Sequence, residues 1–249
     1  MLTCHDLEYT SWSPDFSSSG QRNPHWTKVT CAGVVLTTSL EWTEWAENPI
    51  QVFPCEECGH DGCEPGGYVH VSRLGDHVLW SRPLLDEDDE WGREEYTPPD
   101  SIREHGVLVF SREVWNGLHE RRGRVPPQAA LVPATRRVLA DCWRASAPFR
   151  TERLDEMLPF LRERLDCGDS LAPDEALRLS SRLIEWLMEA PDAPVVGELR
   201  APSTLGAVLE TLQLDGGRGW RWPAFALRGD EPLLALSREV VFVPDTSLG

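Results

Sequence analysis

Three cysteines crowded into one short segment are the residues here whose types and spacing specify a chemistry. The segment Pro54–Cys63 reads PCEECGHDGC, with Cys55, Cys58 and Cys63 as thiols and His60 among them. A Cys-x2-Cys pair on a tight turn can aim two thiolates at one ion from about 2.3 Å each, and many zinc sites use this spacing. Gly59 and Gly62 supply the permissive backbone that folding round a metal demands. A third thiol nearby favours zinc over a redox pair.

His60, His70 and His77 are the candidates for a fourth ligand. In YVHVSRLGDHVLW, Tyr68 to Trp80, Gly75-Asp76 separates two β-prone runs and puts Gly at the first central position of a type II′ turn. That register pairs Leu74 with His77 and Ser72 with Leu79. It leaves His70 and His77 on one face but roughly 13 Å apart at about 3.3 Å per residue, so one ion cannot take both. The sequence therefore predicts a structural zinc on Cys55, Cys58, Cys63 and His70, with His60 as the alternative to His70. Three thiolates and one imidazole close the coordination sphere, and closed sites stabilise folds rather than activate water. The pattern Cys-x2-Cys-x4-Cys-x6-His resembles a zinc knuckle in its first three ligands and departs from it in the third ligand type and the last spacing.

Other chemistries lack a required part. A zinc deaminase needs His-x-Glu or Cys-x-Glu upstream, and none of Cys4, His5, His25 or Cys31 has Glu two positions on. His119-Glu120 starts an HExxH string that ends at Gly123, and Asp86, Asp88 and Glu90 mimic a calcium loop that has Trp91 where Gly belongs. The lone lysine, Lys28, disfavours lysine-dependent catalysis. Cys4, Cys31, Cys142 and Cys167 read as packed thiols.

A second segment bears on partners. Asp86 to Glu104 holds nine carboxylates against Arg93 and Arg103, with Trp91 and Tyr96 inside the run. Aromatic anchors framed by carboxylates suit capture of a basic protein, and Asp86, Asp88, Asp89, Glu90, Trp91 and Tyr96 are the expected binding residues. The whole chain has 24 Lys and Arg against 41 Asp and Glu, a net charge of −17, which argues against nucleic acid and anionic membrane as partners. The opening residues carry Asp6 and Glu8 without an apolar stretch, and seven cysteines suit a reducing compartment, so a bacterial cytoplasm is expected. The expected function is a zinc-stabilised acidic interaction protein, inhibitor-like or immunity-like. The alternative is a metal-dependent hydrolase assembled from dispersed residues such as His5, His25, His77 and His105.

These segments need a scaffold. Trp26 to Thr38, Ile50 to Phe53 and Tyr68 to Trp80 read as strands, and Val107 to Phe110 as a strand followed by a helix capped by Ser111. Apolar spacing predicts helices through Val138, Leu139, Cys142 and Trp143, through Leu154 to Leu165, and through Leu177 to Leu187, with a short helix after Ser203. Trp80, Trp143 and Trp186 are expected in the core, whereas the pairs Trp42 with Trp45 and Trp220 with Trp222 could line a binding surface. Strand character returns at Phe225 to Leu227 and Leu233 to Val243. The expected fold is α+β, with a strand-rich half 1–105 and a helical half 106–249 whose C-terminal strands rejoin the sheet, or one compact domain overall.

Overall fold

The computed structural model describes residues 2–13, 25–57, 62–84, 95–121, 124–146, 184–185, 187–195, 197–200, 224–228, 231–235 and 241–244. The fold is mixed α+β and rich in strands. Of the expected helices, those over Leu154 to Leu165 and after Ser203, and most of Leu177 to Leu187, lie outside the described residues, as do the side chains of Trp143, Trp186, Trp220 and Trp222.

The chain divides into two compact units, Leu2–Val132 and Pro133–Gly249. The first extends beyond residue 105 because a strand following that point completes its main sheet. That sheet orders five strands as β1 (Leu2–Cys4), β8 (Leu108–Ser111), β7 (His77–Ser81), β6 (Tyr68–Leu74) and β5 (Ile50–Gln51). β1 runs parallel to β8, and the other pairings are antiparallel. The β6–β7 register is the expected one, with Leu74 opposite His77, Ser72 opposite Leu79, and Gly75 at φ 54° in the turn. Central strand β7 has Val78, Leu79, Trp80 and Ser81 all buried, which explains why its sequence is an apolar run without alternation.

A second sheet, β2 (Glu8–Trp12), β3 (Trp26–Cys31) and β4 (Val34–Thr37), is an antiparallel meander. The stretch read as one strand over Trp26 to Thr38 is broken by Ala32-Gly33, at φ 50° and φ 79°, into a hairpin. The two sheets share one core. Val29, Cys31 and Leu36 pack with Val69, Val71, Val78, Leu108 and Phe110.

Among the described residues this unit has two α-helices. α1 (Asp100–His105) ends at Gly106, whose φ of 77° closes the last turn through its N–H to Ile102 O, and α2 (Arg112–Arg121) follows β8 directly. Ser111 caps α2 as expected, its Oγ accepting the Val114 N–H at 3.2 Å. α2 inserts Trp115, fully buried, into a group of rings: 5.8 Å from Phe110, 5.9 Å from Trp45 and 6.3 Å from Trp80, all edge-on. Its indole N–H donates to Pro126 O at 2.8 Å. Trp45, read with Trp42 as free to line a binding surface, is buried here because its ring completes this group; Trp42 is 39% exposed.

In the second unit, α3 (Arg136–Ser146) carries the expected buried stripe of Val138, Leu139 and Cys142. Among the described residues the C-terminal strands form a sheet of their own. β9 (Gly197–Arg200), β10 (Ala224–Arg228), β11 (Glu231–Ala235) and β12 (Val241–Pro244) pair with one another in the order β10-β11-β12-β9. Two residues separate β10 from β11, so that pairing is local and closes with little loss of chain entropy.

Because Trp115 joins α2, the Trp45 segment and the sheet in one packed group, Trp115→Ala should lower unfolding free energy by about 3–5 kcal/mol. Urea denaturation followed by tryptophan fluorescence measures this; a loss below about 1 kcal/mol would show that the ring group does not hold the unit together.

Candidate functional site

The cysteine segment emerges from the edge of the main sheet. β5 ends at Gln51, and Val52 N–H still bonds Gly67 O at 2.9 Å, so the chain leaves and re-enters the sheet at neighbouring points. A single buried amide ties the returning end. Gln51 Nε2 donates to Glu64 O and Gly66 O, each at 2.9 Å, while its Oε1 accepts the Gly62 N–H at 2.6 Å. Three backbone groups that neither sheet nor helix would satisfy are thereby paired inside the protein.

Of the expected zinc ligands, Cys55 is buried, with its Sγ 3.7 Å from Glu64 Oε1, and Cys63 is exposed. Cys58 and His60 lie outside the described residues. His70 sits on β6 opposite Ser81, and burial pushes its imidazole down to about 4, so it is neutral at pH 7. Among the described residues no three His, Cys, Asp or Glu side chains converge as a metal site. His77 is separated from His70 by the register described above; its buried Nδ1 has no hydrogen-bond partner, and burial lowers its pKa. Of the other dispersed histidines, His5 follows β1, His25 bonds Ser13 Oγ at 3.2 Å and His105 ends α1.

The acidic segment joins the cysteine segment side by side. Glu95 O accepts the Gly66 N–H at 2.9 Å, Thr97 O accepts the Tyr68 N–H at 3.1 Å, and the Tyr96 ring meets Tyr68 edge-on at 4.8 Å. Tyr96 is thus a packing residue as well as a member of the acidic run. Asp86, Asp88, Asp89, Glu90 and Trp91 lie outside the described residues. Two glycines permit the close approach: a Cβ on Gly66, at φ 94°, would meet Thr97 Oγ1 at 2.6 Å, and one on Gly67, at φ 77°, would meet Phe53 Cβ at 2.8 Å.

Between these segments, the β3–β4 hairpin and α1 opens a cleft of about 570 Å³. Its apolar wall includes Val34, Val35 and Phe53, and its carboxylates are Glu64, Asp100 and Glu104. Arg103 also lines it, 3.7 Å from Asp100. Nothing in the sequence marked β4 as part of this site, because the hairpin reaches it only through the tertiary fold.

Two thiols read as ordinary core residues have a further relation. Cys4 and Cys31 are buried and hydrogen-bonded to each other; that bond pulls Cys31 below the usual thiol value and drives Cys4 well above it. Cys142, in contrast, is simply packed, and burial pushes its thiol up to about 12. No protein-family model, curated protein or solved structure matches the chain.

Gln51→Leu keeps the side-chain volume but strands the Gly62 N–H and two carbonyls. The expected cost is about 1–3 kcal/mol, with faster amide exchange at Gly62 than in the parent. Unchanged stability and exchange would mean that the amide is not what anchors the segment.

Proposed function

We propose that this chain is a zinc-stapled acidic interaction protein of the bacterial cytoplasm that captures a basic protein partner, as an inhibitor or immunity-type protein does. The observation that carries this reading is the joining of the acidic segment to the cysteine segment by two backbone hydrogen bonds and the Tyr68–Tyr96 contact. An acidic loop anchored at its exit loses less conformational entropy on binding than a free tail does. No helix among the described residues is long and apolar enough to cross a membrane.

The zinc belongs to the same proposal. Cys55, Cys58 and Cys63 supply three thiolates and His70 the fourth ligand, with His60 as the alternative. A metal in that segment would cross-link Cys55 to Cys63 and so steady the turn against which Glu95 to Thr97 lie. Zinc has no part in catalysis in this scheme.

Protein purified without chelator should contain about one zinc per chain by elemental analysis, with thermal stability falling when it is removed. His70→Ala should reduce the occupancy and His60→Ala should retain it; a metal-free chain overturns the zinc reading, and loss on His60→Ala alone moves the fourth ligand to His60.

A nona-arginine peptide serves as a defined basic probe. Replacing Asp86, Asp88, Asp89 and Glu90 by their amides should slow its association by about tenfold at low ionic strength, read by stopped-flow fluorescence. Rates indifferent to both salt and these substitutions would rule out the acidic segment as a capture surface.

A further inference from the structure

Two sulfurs from different sheets meet in the core of the first unit, and neither the zinc nor the capture reading uses them. Cys4 ends β1, the three-residue strand at the edge of the five-stranded sheet, and Cys31 ends β3 in the meander. Both are free thiols, 0% and 3% exposed, in the core cluster that joins the two sheets. Their side chains share a hydrogen bond, so the sulfurs stand within reach of each other. The cover over the pair is thin. His5 and Asp6, which follow Cys4, and Ala32 and Gly33, which follow Cys31, are all exposed.

Hydrogen bonding makes the two thiols unequal. Cys31 sulfur accepts from the Cys4 thiol and from the backbone N–H groups of His5 and Asp6. These donors favour a thiolate there and outweigh burial and the Asp6 carboxylate, which oppose it, so Cys31 is held down at about 7. Cys4, the donor, is pushed far above the usual thiol range. A thiolate-forming cysteine beside a protonated one is the arrangement of an attacking thiol with its resolving partner. Cys142 on α3 is the contrast, since burial pushes its thiol up to about 12.

We propose that Cys4 and Cys31 are a site of reversible oxidation by small hydroperoxides, with Cys31 the attacking thiol and Cys4 the resolving one. Cys31 thiolate attacks the hydroperoxide: an S–O bond forms, the O–O bond breaks, and the leaving alkoxide or hydroxide takes up a proton. That step also removes the Cys31 charge that raises Cys4. Cys4 then gives up its proton and attacks the sulfenic sulfur of Cys31; an S–S bond forms, the S–O bond breaks and water leaves. Two thiols lose two electrons, and one hydroperoxide is reduced to an alcohol or to water. Burial of both sulfurs suits a compact, uncharged oxidant and shuts out bulky disulfides. The product ties edge strand β1 to β3 across the two sheets, and in a reducing compartment such a bond is transient and reports on the oxidant.

The test treats the full reduced chain with hydrogen peroxide in native buffer, blocks the remaining thiols and maps the peptides without reduction. Cleavage after Lys28 and after Glu8 and Glu41 puts Cys4 and Cys31 on separate peptides, each free of the Cys55–Cys63 segment. A Cys4–Cys31 cross-link is expected, reversed by dithiothreitol, and amide exchange at Thr3 and Cys4 should slow by about tenfold in the oxidised chain. In Cys4→Ser the reaction should stop at a Cys31 sulfenic acid, trapped by dimedone at least about tenfold faster than any label on Cys142. In Cys31→Ser, Cys4 should stay unlabelled. Mapping of the unsubstituted chain does not depend on either variant folding. Absence of the cross-link, or its formation only in urea, overturns the proposal; dimedone labelling of Cys4 in Cys31→Ser as fast as that of Cys31 in Cys4→Ser overturns the assignment of roles. Unchanged exchange at β1 in the cross-linked chain would show that the bond locks no strand.

Discussion

The packing of four rings, Trp45, Trp80, Phe110 and Trp115, is the constraint on which the first unit depends. These rings come from a loop, two adjacent strands and α2, and each lies between 5.0 and 6.3 Å from its neighbours in the group. Where Trp115 meets the other three edge-on, the positive edge of one ring lies against the negative face of another and adds about 0.5–1.5 kcal/mol per pair to the burial itself. Because the indole of Trp115 also bonds Pro126 O, the chain beyond α2 is held to the same point. Phe110 carries short β8 into the ring group, so side-chain packing adds to its backbone pairing.

From that fixed interior the site is built outward by polar satisfaction rather than packing. Asn48 mimics a strand at the β6 edge, its amide donating to Val71 O and its carbonyl accepting the Val71 N–H. Gln51 then serves the turn at Gly62 to Gly66, and Glu41 accepts both the N–H and the hydroxyl of Thr27 on β3. Each side chain replaces a backbone partner that irregular chain lacks. Through Gln51 the turn that lines one side of the cleft is tied to the sheet edge.

How far this was legible in the sequence depended on whether the cue was local. Gly75-Asp76 fixed its hairpin and the separation of His70 from His77, since turn chemistry needs only neighbouring residues. Ser111 marked its helix for the same reason. The Ala32-Gly33 turn escaped notice because Ala rarely takes a left-handed conformation, so the residue type gave no cue. Trp45 was misassigned to a surface because an indole on an irregular segment has no periodicity that could reveal its burial. The C-terminal strands were recognised as strands, but which sheet they join is a question of long-range pairing that composition does not encode. At the site, the cysteines and carboxylates were visible as types; their adjacency was not, because it arises from the Gly66–Glu95 and Tyr68–Thr97 hydrogen bonds between segments nearly thirty residues apart in sequence.

That adjacency changes what the net charge of −17 means. Spread evenly, such charge keeps a protein soluble and is screened within about 8 Å at physiological salt. Glu64, Asp100 and Glu104 line a cleft with apolar walls, and carboxylates beside such walls act through a medium of lower dielectric, which strengthens their field where water is thin. Val34, Val35 and Phe53 therefore bear on the electrostatics of the cleft, because they limit the water that would screen its carboxylates. Gly66 and Gly67, which let the two segments approach, are the residues that make this arrangement possible.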